Sequence, residues 1–288
     1  MSTVLISGSI VLYKADFTVR EAIKSFLNTK LPVKLYLVDN SPTTYLQELL
    51  KDILLDVRVE YIHTNKNIGF GAAHNLAMKK SLSQSTYHLV LNPDVSFKVN
   101  VLPSIYNYME ANQDVGLLMP KVLYPTRSTQ YICKLLPSPH DLIFRRFLPG
   151  NFSNKQLKQY DLRSSGYNTI MEVPILSGCF MFMRSSVLKN IGLFDERFFL
   201  YLEDTDLCRR FFKVAKNIFY PAVFIIHDHE RGSYKNLKLL YIHTKSAISY
   251  FNKWGWWRDK EREAINKNVL NAIEKPRIIQ KKYKVKTA

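Results

Sequence analysis

Tyr87-His-Leu-Val-Leu-Asn-Pro-Asp94 is the stretch on which the fold turns. Leu89, Val90 and Leu91 form a short apolar run with a β-branched member, the pattern of a strand buried on both faces in a parallel sheet. Pro93 cannot donate to a ladder, so pairing ends there. That leaves Asp94 at the carboxyl end of a buried strand, the edge at which open α/β sheets bind ligands. Asn-Pro-Asp is equally a serviceable turn, so this stretch alone leaves both readings open.

Working outward, strands and helices alternate. Val4–Leu12 is a β-branched apolar run. Val19, Ala22, Ile23, Phe26 and Leu27 recur at helical spacing within 15–28. Leu35–Val38 is a second strand, ending in Asp39-Asn40-Ser41-Pro42. A helix over 44–55, a strand over 57–63, a glycine-containing loop over 65–70 and a helix over 71–81 lead back to the opening stretch. This β-α-β order predicts an α/β fold, a parallel sheet wrapped by helices on both sides. A helix over 100–110 and a strand over 115–119, closed by Pro120, follow. Order returns over 173–183, in a last strand over 217–226 and in an amphipathic helix over 237–251.

The chain has 288 residues and a formal charge of +17, unevenly placed. Residues 125–170 hold seven basic and two acidic side chains, net +5. Residues 235–288 hold fourteen and four, net +10, so the remainder is nearly neutral. A basic flank on a neutral core points to an anionic partner or to a solubilising tail. The stretch 125–170 contains four prolines and mixes Leu142, Ile143 and Phe144 with Arg145 and Arg146. It reads as an insertion, partly mobile, suited to a membrane surface or packed on the core. Lys253-Trp-Gly-Trp-Trp-Arg258 has the composition of a water–bilayer interface. The domain expectation is a catalytic unit over 1–235, a helical extension over 236–274 and a basic, disordered tail over 275–288. Cys133, Cys179 and Cys208 are odd in number and lack a Cys-x-x-Cys pair. With no secretory pattern at the start, that suggests reduced thiols and a cytoplasmic chain.

Asp39 ends one strand and Asp94 another at the same sheet edge. Asp39 suits hydrogen bonds from a base or ribose, and Asp94 suits a hard cation such as Mg²⁺ or Mn²⁺ carrying a diphosphate. Asn65, Asn67, Gly69 and Gly71 let the backbone of the following helix approach an anion. Gly178 permits close approach of a substrate, or a bend. Glu203, Asp204 and Asp206 follow the aromatic run Phe198–Tyr201, where desolvation raises a carboxyl's pKa and suits a general base. The same acids also suit the first turn of a helix. His227 and His229, beside Arg231, Gly232 and Ser233, read as a ligand loop at a strand end.

Val38-Asp39-Asn40-Ser41, Asn65-Lys-Asn-Ile-Gly-Phe-Gly71 with Asn75, Leu91-Asn-Pro-Asp94, Ser177-Gly178, and Gly192-Leu-Phe-Asp195 leading to Glu203-Asp204-Thr-Asp-Leu-Cys-Arg209 occur in that order. The set resembles the inverting GT-A glycosyltransferases of family 2, especially the bacterial rhamnosyltransferase-like branch, over about residues 4–255. Lys245-Ser-Ala-Ile-Ser-Tyr-Phe-Asn-Lys-Trp-Gly255 resembles that branch too. The resemblance implies Asp204 as general base with Glu203 in support. It implies Asp39 at the nucleotide base, and Asn67, Gly69, Asn75, Asn92, Ser177, Gly178 and Lys245 around the nucleotide sugar. Asp94 would then hold Mg²⁺ or Mn²⁺, with His227 at the metal or at the diphosphate. Asn92 departs from the pattern by standing where the first acid of an Asp-x-Asp motif is expected. The implied partners are a nucleoside-diphosphate sugar, dTDP-rhamnose on the branch resemblance, and a glycan or lipid-linked acceptor in bacterial surface polysaccharide synthesis. The implied place is peripheral on the inner face of the cytoplasmic membrane.

Two other classes compete. A nucleic-acid binder without catalysis fits the charge, but acidic clusters at strand and helix ends would repel phosphate. A sugar-phosphate nucleotidyltransferase would want a glycine-rich basic loop after the first strand, and Val11-Leu-Tyr-Lys-Ala-Asp16 has no glycine.

Overall fold

The computed structural model describes residues 4–144, 154–228 and 237–274. Its core is a nine-stranded mixed sheet of order β3-β2-β1-β4-β8-β6-β9-β5, with β7 on β9. The first four strands are β1 (Val4–Leu12), β2 (Val33–Asp39), β3 (Val59–His63) and β4 (Ser85–Leu91). They are mutually parallel, as the alternation predicts. The crossovers are α1 (Val19–Leu27), the short α2 (Tyr45–Leu49) and α3 (Phe70–Ser81). Val19, Ala22, Ile23 and Phe26 of α1 are buried at the predicted spacing and join Ile10 and Leu35 in one apolar core. The predicted helix over 44–55 is interrupted: α2 stops at Leu49 and a single 3-10 turn covers Ile53–Leu55.

Beyond β4 the sheet stops being parallel. β5 (Val95–Phe97), β6 (Val115–Leu123), β7 (Met171–Glu172), β8 (Phe180–Arg184) and β9 (Lys216–His227) complete it. β8 runs antiparallel to both β4 and β6, while β6 and β9 are parallel. Pro120 does not close β6. The strand continues to Leu123 through a register shift between Pro120 and Lys121, a bulge that tolerates a residue with no N–H. The remaining helices are α4 (Val101–Ala111), α5 (Asn154–Tyr160), α6 (Ser185–Ile191), α7 (Glu203–Phe212), α8 (Leu237–Trp254) and α9 (Lys260–Glu274).

The described part of 125–170 packs on the core, as one of the two readings expects. Cys133, Leu162 and Tyr167 are fully buried. The Tyr167 hydroxyl accepts from the Cys133 N–H at 3.0 Å and donates to the Asp161 carbonyl at 2.7 Å. Residues 145–153, the His229 to Ser233 loop and the tail over 275–288 lie outside the described residues. No helix among the described residues is long and apolar enough to cross a membrane.

Candidate active site

The crevice lies at the carboxyl ends of β2, β1 and β4. Asp39 pairs with Leu12 of β1, and Leu91 pairs with Ile10 on its other side. Asp39 and Asp94 therefore flank β1 and do not sit on adjacent strands; two strand spacings part the strands that carry them, about 10 Å.

Three motifs meet by hydrogen bonds. The Asn92 N–H donates to the Cys179 carbonyl at 2.9 Å, joining the Asn-Pro-Asp turn to the Ser177–Cys179 turn. The Gly178 N–H donates to Asp204 Oδ2 at 2.9 Å. The Phe70 N–H donates to the Phe199 carbonyl at 2.9 Å, bringing the start of α3 to the aromatic run before α7. A Cβ on Gly178 would stand 3.3 Å from Asp204 Cβ, closer than ordinary contact, so glycine lets α7 approach. Gly69, at φ +96°, turns the chain into α3 where a side chain would meet the Phe199 carbonyl oxygen at 2.5 Å.

Asp204 sits in the first turn of α7, entered through Tyr201 and Leu202, both at left-handed φ of about +70°. Bulky residues rarely adopt that region, and such strain gathers where a site over-determines the backbone. The turn sends adjacent carboxyls to different environments. Asp204 is part-exposed and accepts from the Gly178 and Thr205 N–H groups. Glu203 is buried, and its Oε2 accepts no hydrogen bond. Burial, with Asp204 beside it, pushes the Glu203 carboxyl well above the usual range. The desolvated acid foreseen near the aromatic run is thus Glu203.

α7 is locked from behind by the C-terminal helices. Fully buried Asp206 accepts from Trp254 Nε1 at 2.8 Å, Lys253 Nζ at 2.7 Å and Arg210 Nε at 2.9 Å. Buried Arg209 makes a two-pronged pair with Asp259 at 2.7 and 2.9 Å and lies 4.3 Å over the Trp254 ring. Trp254 is therefore an internal clamp on α7; of its aromatic cluster, Trp257 is the exposed member.

At the other end, β5 pairs with β9 so that Val95 faces His227. His227 Nε2 lies 3.4 Å from Asp94 Oδ1, a buried oxygen that accepts no hydrogen bond. Gln130 fixes the imidazole from behind, its Oε1 3.1 Å from Nδ1 and its Nε2 donating to the His227 carbonyl at 2.7 Å. Burial works against charge on His227, but the Cys179 sulfur and the Asp94 carboxylate outweigh it and raise the imidazole's pKa. Asp94 and His227 are the oxygen and nitrogen donors that could approach one cation from the same side, provided the imidazole gives up its proton. Among the described residues no group of three His, Cys, Asp or Glu side chains forms a fuller site, so waters or phosphate oxygens would complete it.

The other predicted residues divide. Asn67 Oδ1 accepts from the Gly69 N–H and holds the glycine loop. Asp39 is fully buried: Oδ1 accepts from the Ser41 N–H and Oδ2 from the Tyr61 hydroxyl, so it supports the strand-end turn and offers no open face. Asn75 is also buried, its amide engaged with the Phe194 backbone and Glu196. Lys245 is exposed on α8. Beside Asp39 a cavity of about 310 Å³ is lined by Lys14, Ser41, Pro42 and Tyr45. Gln130 and the Asp206 clamp went unforeseen. Gln130 sits where sequence periodicity fails, and Asp206 resembles any first-turn acid.

The family model described as Glycosyl transferase family 2 matches residues 9–192. N-acetylglucosaminyl-diphospho-decaprenol L-rhamnosyltransferase of Mycobacterium tuberculosis (strain H37Rv) is 26% identical over 251 residues, covering 81% of this chain and 79% of that protein. Rhamnosyltransferase WbbL of Escherichia coli K12 is 29% identical over 191 residues, covering 63% and 69%. The crystal structure of GalNAc-T7 with UDP, GalNAc and Mn²⁺ matches at TM-score 0.66 and 14% identity, over 91% of this chain and 50% of that one. The fold is that of the GT-A glycosyltransferases.

Proposed function

The chain belongs to glycosyl transferase family 2, and on that premise we propose that it is an inverting transferase moving a sugar from a nucleoside diphosphate to a glycan or lipid-linked acceptor in bacterial surface polysaccharide synthesis. L-Rhamnose, carried as dTDP-rhamnose, is the proposed donor sugar, because both bacterial relatives above are named for rhamnosyl transfer. The observation that carries the reading is the hydrogen-bonded path Asn92–Cys179 and Gly178–Asp204, which sets an open carboxylate beside the turn bearing Asp94.

The acceptor hydroxyl attacks the anomeric carbon on the face opposite the diphosphate, and Asp204 takes its proton. As the new carbon–oxygen bond forms, the bond to the diphosphate breaks and its electron pair leaves with the phosphate. A single displacement inverts the anomeric centre. Burial of Glu203 works against a second negative charge beside the base. Gly178, held through Asp204, and Ser177 line the approach. Lys14, Ser41 and Tyr45 offer the nucleotide a wall at the strand ends, with Asp39 bracing it. Asp94 and His227 would hold Mg²⁺ or Mn²⁺, which when bound supplies positive charge to the leaving diphosphate. The basic excess over 235–288 supports a peripheral place on the inner face of the cytoplasmic membrane.

Incubation with a panel of nucleoside-diphosphate sugars and Mg²⁺ or Mn²⁺ tests this. The expected result is release of nucleoside diphosphate, fastest from one donor. Folded protein that releases none from any donor, with or without lipid-linked acceptors, would sink the proposal.

A further inference from the structure

α8 is amphipathic in an unusual sense, because its outward face is apolar and basic together. At about 100° per residue, Leu237, Ile248, Tyr241, Asn252, Lys245 and Lys238 fall within one arc of about 100°. These six are all the exposed residues of the helix. Leu237 is 83% exposed, Tyr241 68% and Ile248 43%. The helix carries no carboxylate over its 18 residues. The inward face is already occupied: Ala247, Tyr250 and Phe251 pack with Phe198 and Leu202, and the Ser246 hydroxyl donates to the Leu200 carbonyl at 2.9 Å. Three large apolar side chains in water on one face want a partner.

We infer that this arc of α8 is the seat of the chain on an anionic phospholipid surface, an inference that rests on the transferase reading and assigns its membrane contact to one helix face. The charge is complementary: net +10 over residues 235–288, with Lys238 and Lys245 set among the apolar side chains. Aliphatic Leu237 and Ile248 have no ring to stack on bases, whereas acyl chains accept them. Basic residues beside an inserted apolar stripe are what anionic headgroups attract. From Leu237 to Ile248 the stripe runs about 16 Å, lying along the surface. Exposed Trp257, just past the helix, extends the same chemistry. The seated helix is the one whose other face grips Phe198–Leu202, directly before Asp204. The bilayer would thus lie beside the base-bearing turn, where a lipid-linked hydroxyl must arrive.

The test uses full-length protein and vesicles of phosphatidylcholine with or without 30% phosphatidylglycerol, a composition chosen to mimic roughly the anionic fraction of a cytoplasmic leaflet. Wild type should sediment with the anionic vesicles and less so at high salt. Leu237→Ser/Tyr241→Ser/Ile248→Ser should bind on the order of 10- to 100-fold more weakly while releasing nucleoside diphosphate from soluble donor at the wild-type rate. A second measurement does not depend on that variant. Cys133, Cys179 and Cys208 are buried, so Ile248→Cys can be labelled selectively with an environment-sensitive dye. Its emission should shift to the blue on adding anionic vesicles, and that of Leu55→Cys, on the exposed 3-10 turn after α2, should not. Equal vesicle binding by wild type and triple variant, no shift at position 248, or a self-association abolished by the triple variant without any lipid binding would each overturn the assignment. Donor turnover would meanwhile report separately on the transferase reading.

Discussion

The strands β3-β2-β1-β4 and the region of β8, β6, β9 and α7–α9 are held together by different chemistry. In the first, apolar packing, as where Phe26 of α1 covers Gly8 of β1, surrounds an uncharged buried network in which Ser7 and Ser9 of β1 hydrogen-bond His88 of β4 and Ser9 also His74 of α3. In the second, charged and polar groups reach across long stretches of chain: Arg209 to Asp259, Asp206 to Trp254 and Lys253, Gln130 to His227. The first half offers a rigid edge. The second carries the proposed base and its supports, which must be polar, and each buried one then requires a partner. A scaffold of apolar and mostly uncharged contacts tolerates small errors, whereas a buried ionic tie fails when one member goes.

The largest expected effect is Arg209→Ala. It leaves Asp259 buried and removes the contact with Trp254, so unfolding free energy should fall by about 3–5 kcal/mol in urea titration. A loss under 1 kcal/mol would break the contrast between halves. Gly8→Ala probes the other half. Its Cβ would lie 2.5 Å from Phe26 Cε2, so about 1–3 kcal/mol should be lost by overpacking. Turnover in the remaining folded enzyme should stay unchanged; a raised donor KM would show that the edge is not merely scaffold. Gln130→Ala removes the hydrogen bonds that hold the His227 ring from behind. Mn²⁺ affinity by calorimetry should weaken about 10- to 100-fold, and unchanged affinity would remove Gln130 from that role.

The last expected effect is a slope. Glu203 is protonated when folded at pH values where the unfolded chain has released the proton. Above its ordinary pKa the native state therefore binds more protons than the unfolded state, and stability falls as pH rises toward the raised folded value. One such proton gives about 1.4 kcal/mol per pH unit. Glu203→Gln should flatten that decline in thermal melts run upward from the ordinary carboxyl range. An unchanged slope would place the charge elsewhere.

How much the sequence disclosed follows the same division. β1, β2, α1 and α3 were legible because their apolar spacing reports burial directly. The mixed sheet was not, because antiparallel β8 is a five-residue strand following an irregular turn. Asp94, His227, Gly178 and Asp204 were visible as motifs, and contacts link the turns that carry them. Asp39 and Asn75 were visible too, yet their side chains are turned to structural hydrogen bonds, a distinction that residue type does not encode. Gln130 lay in the proline-rich segment, where no period exists to be read.

The central claim is that one crevice holds the diphosphate at its Asp94 end and takes the acceptor proton at its Asp204 end. Assaying Asp94→Ala and Asp204→Asn side by side for donor binding and nucleoside diphosphate release tests it most directly. Asp204→Asn should bind donor as wild type does and turn over about 10²- to 10⁴-fold more slowly, while Asp94→Ala should bind donor more weakly. Full turnover by Asp204→Asn, or donor binding untouched by Asp94→Ala, would contradict the claim.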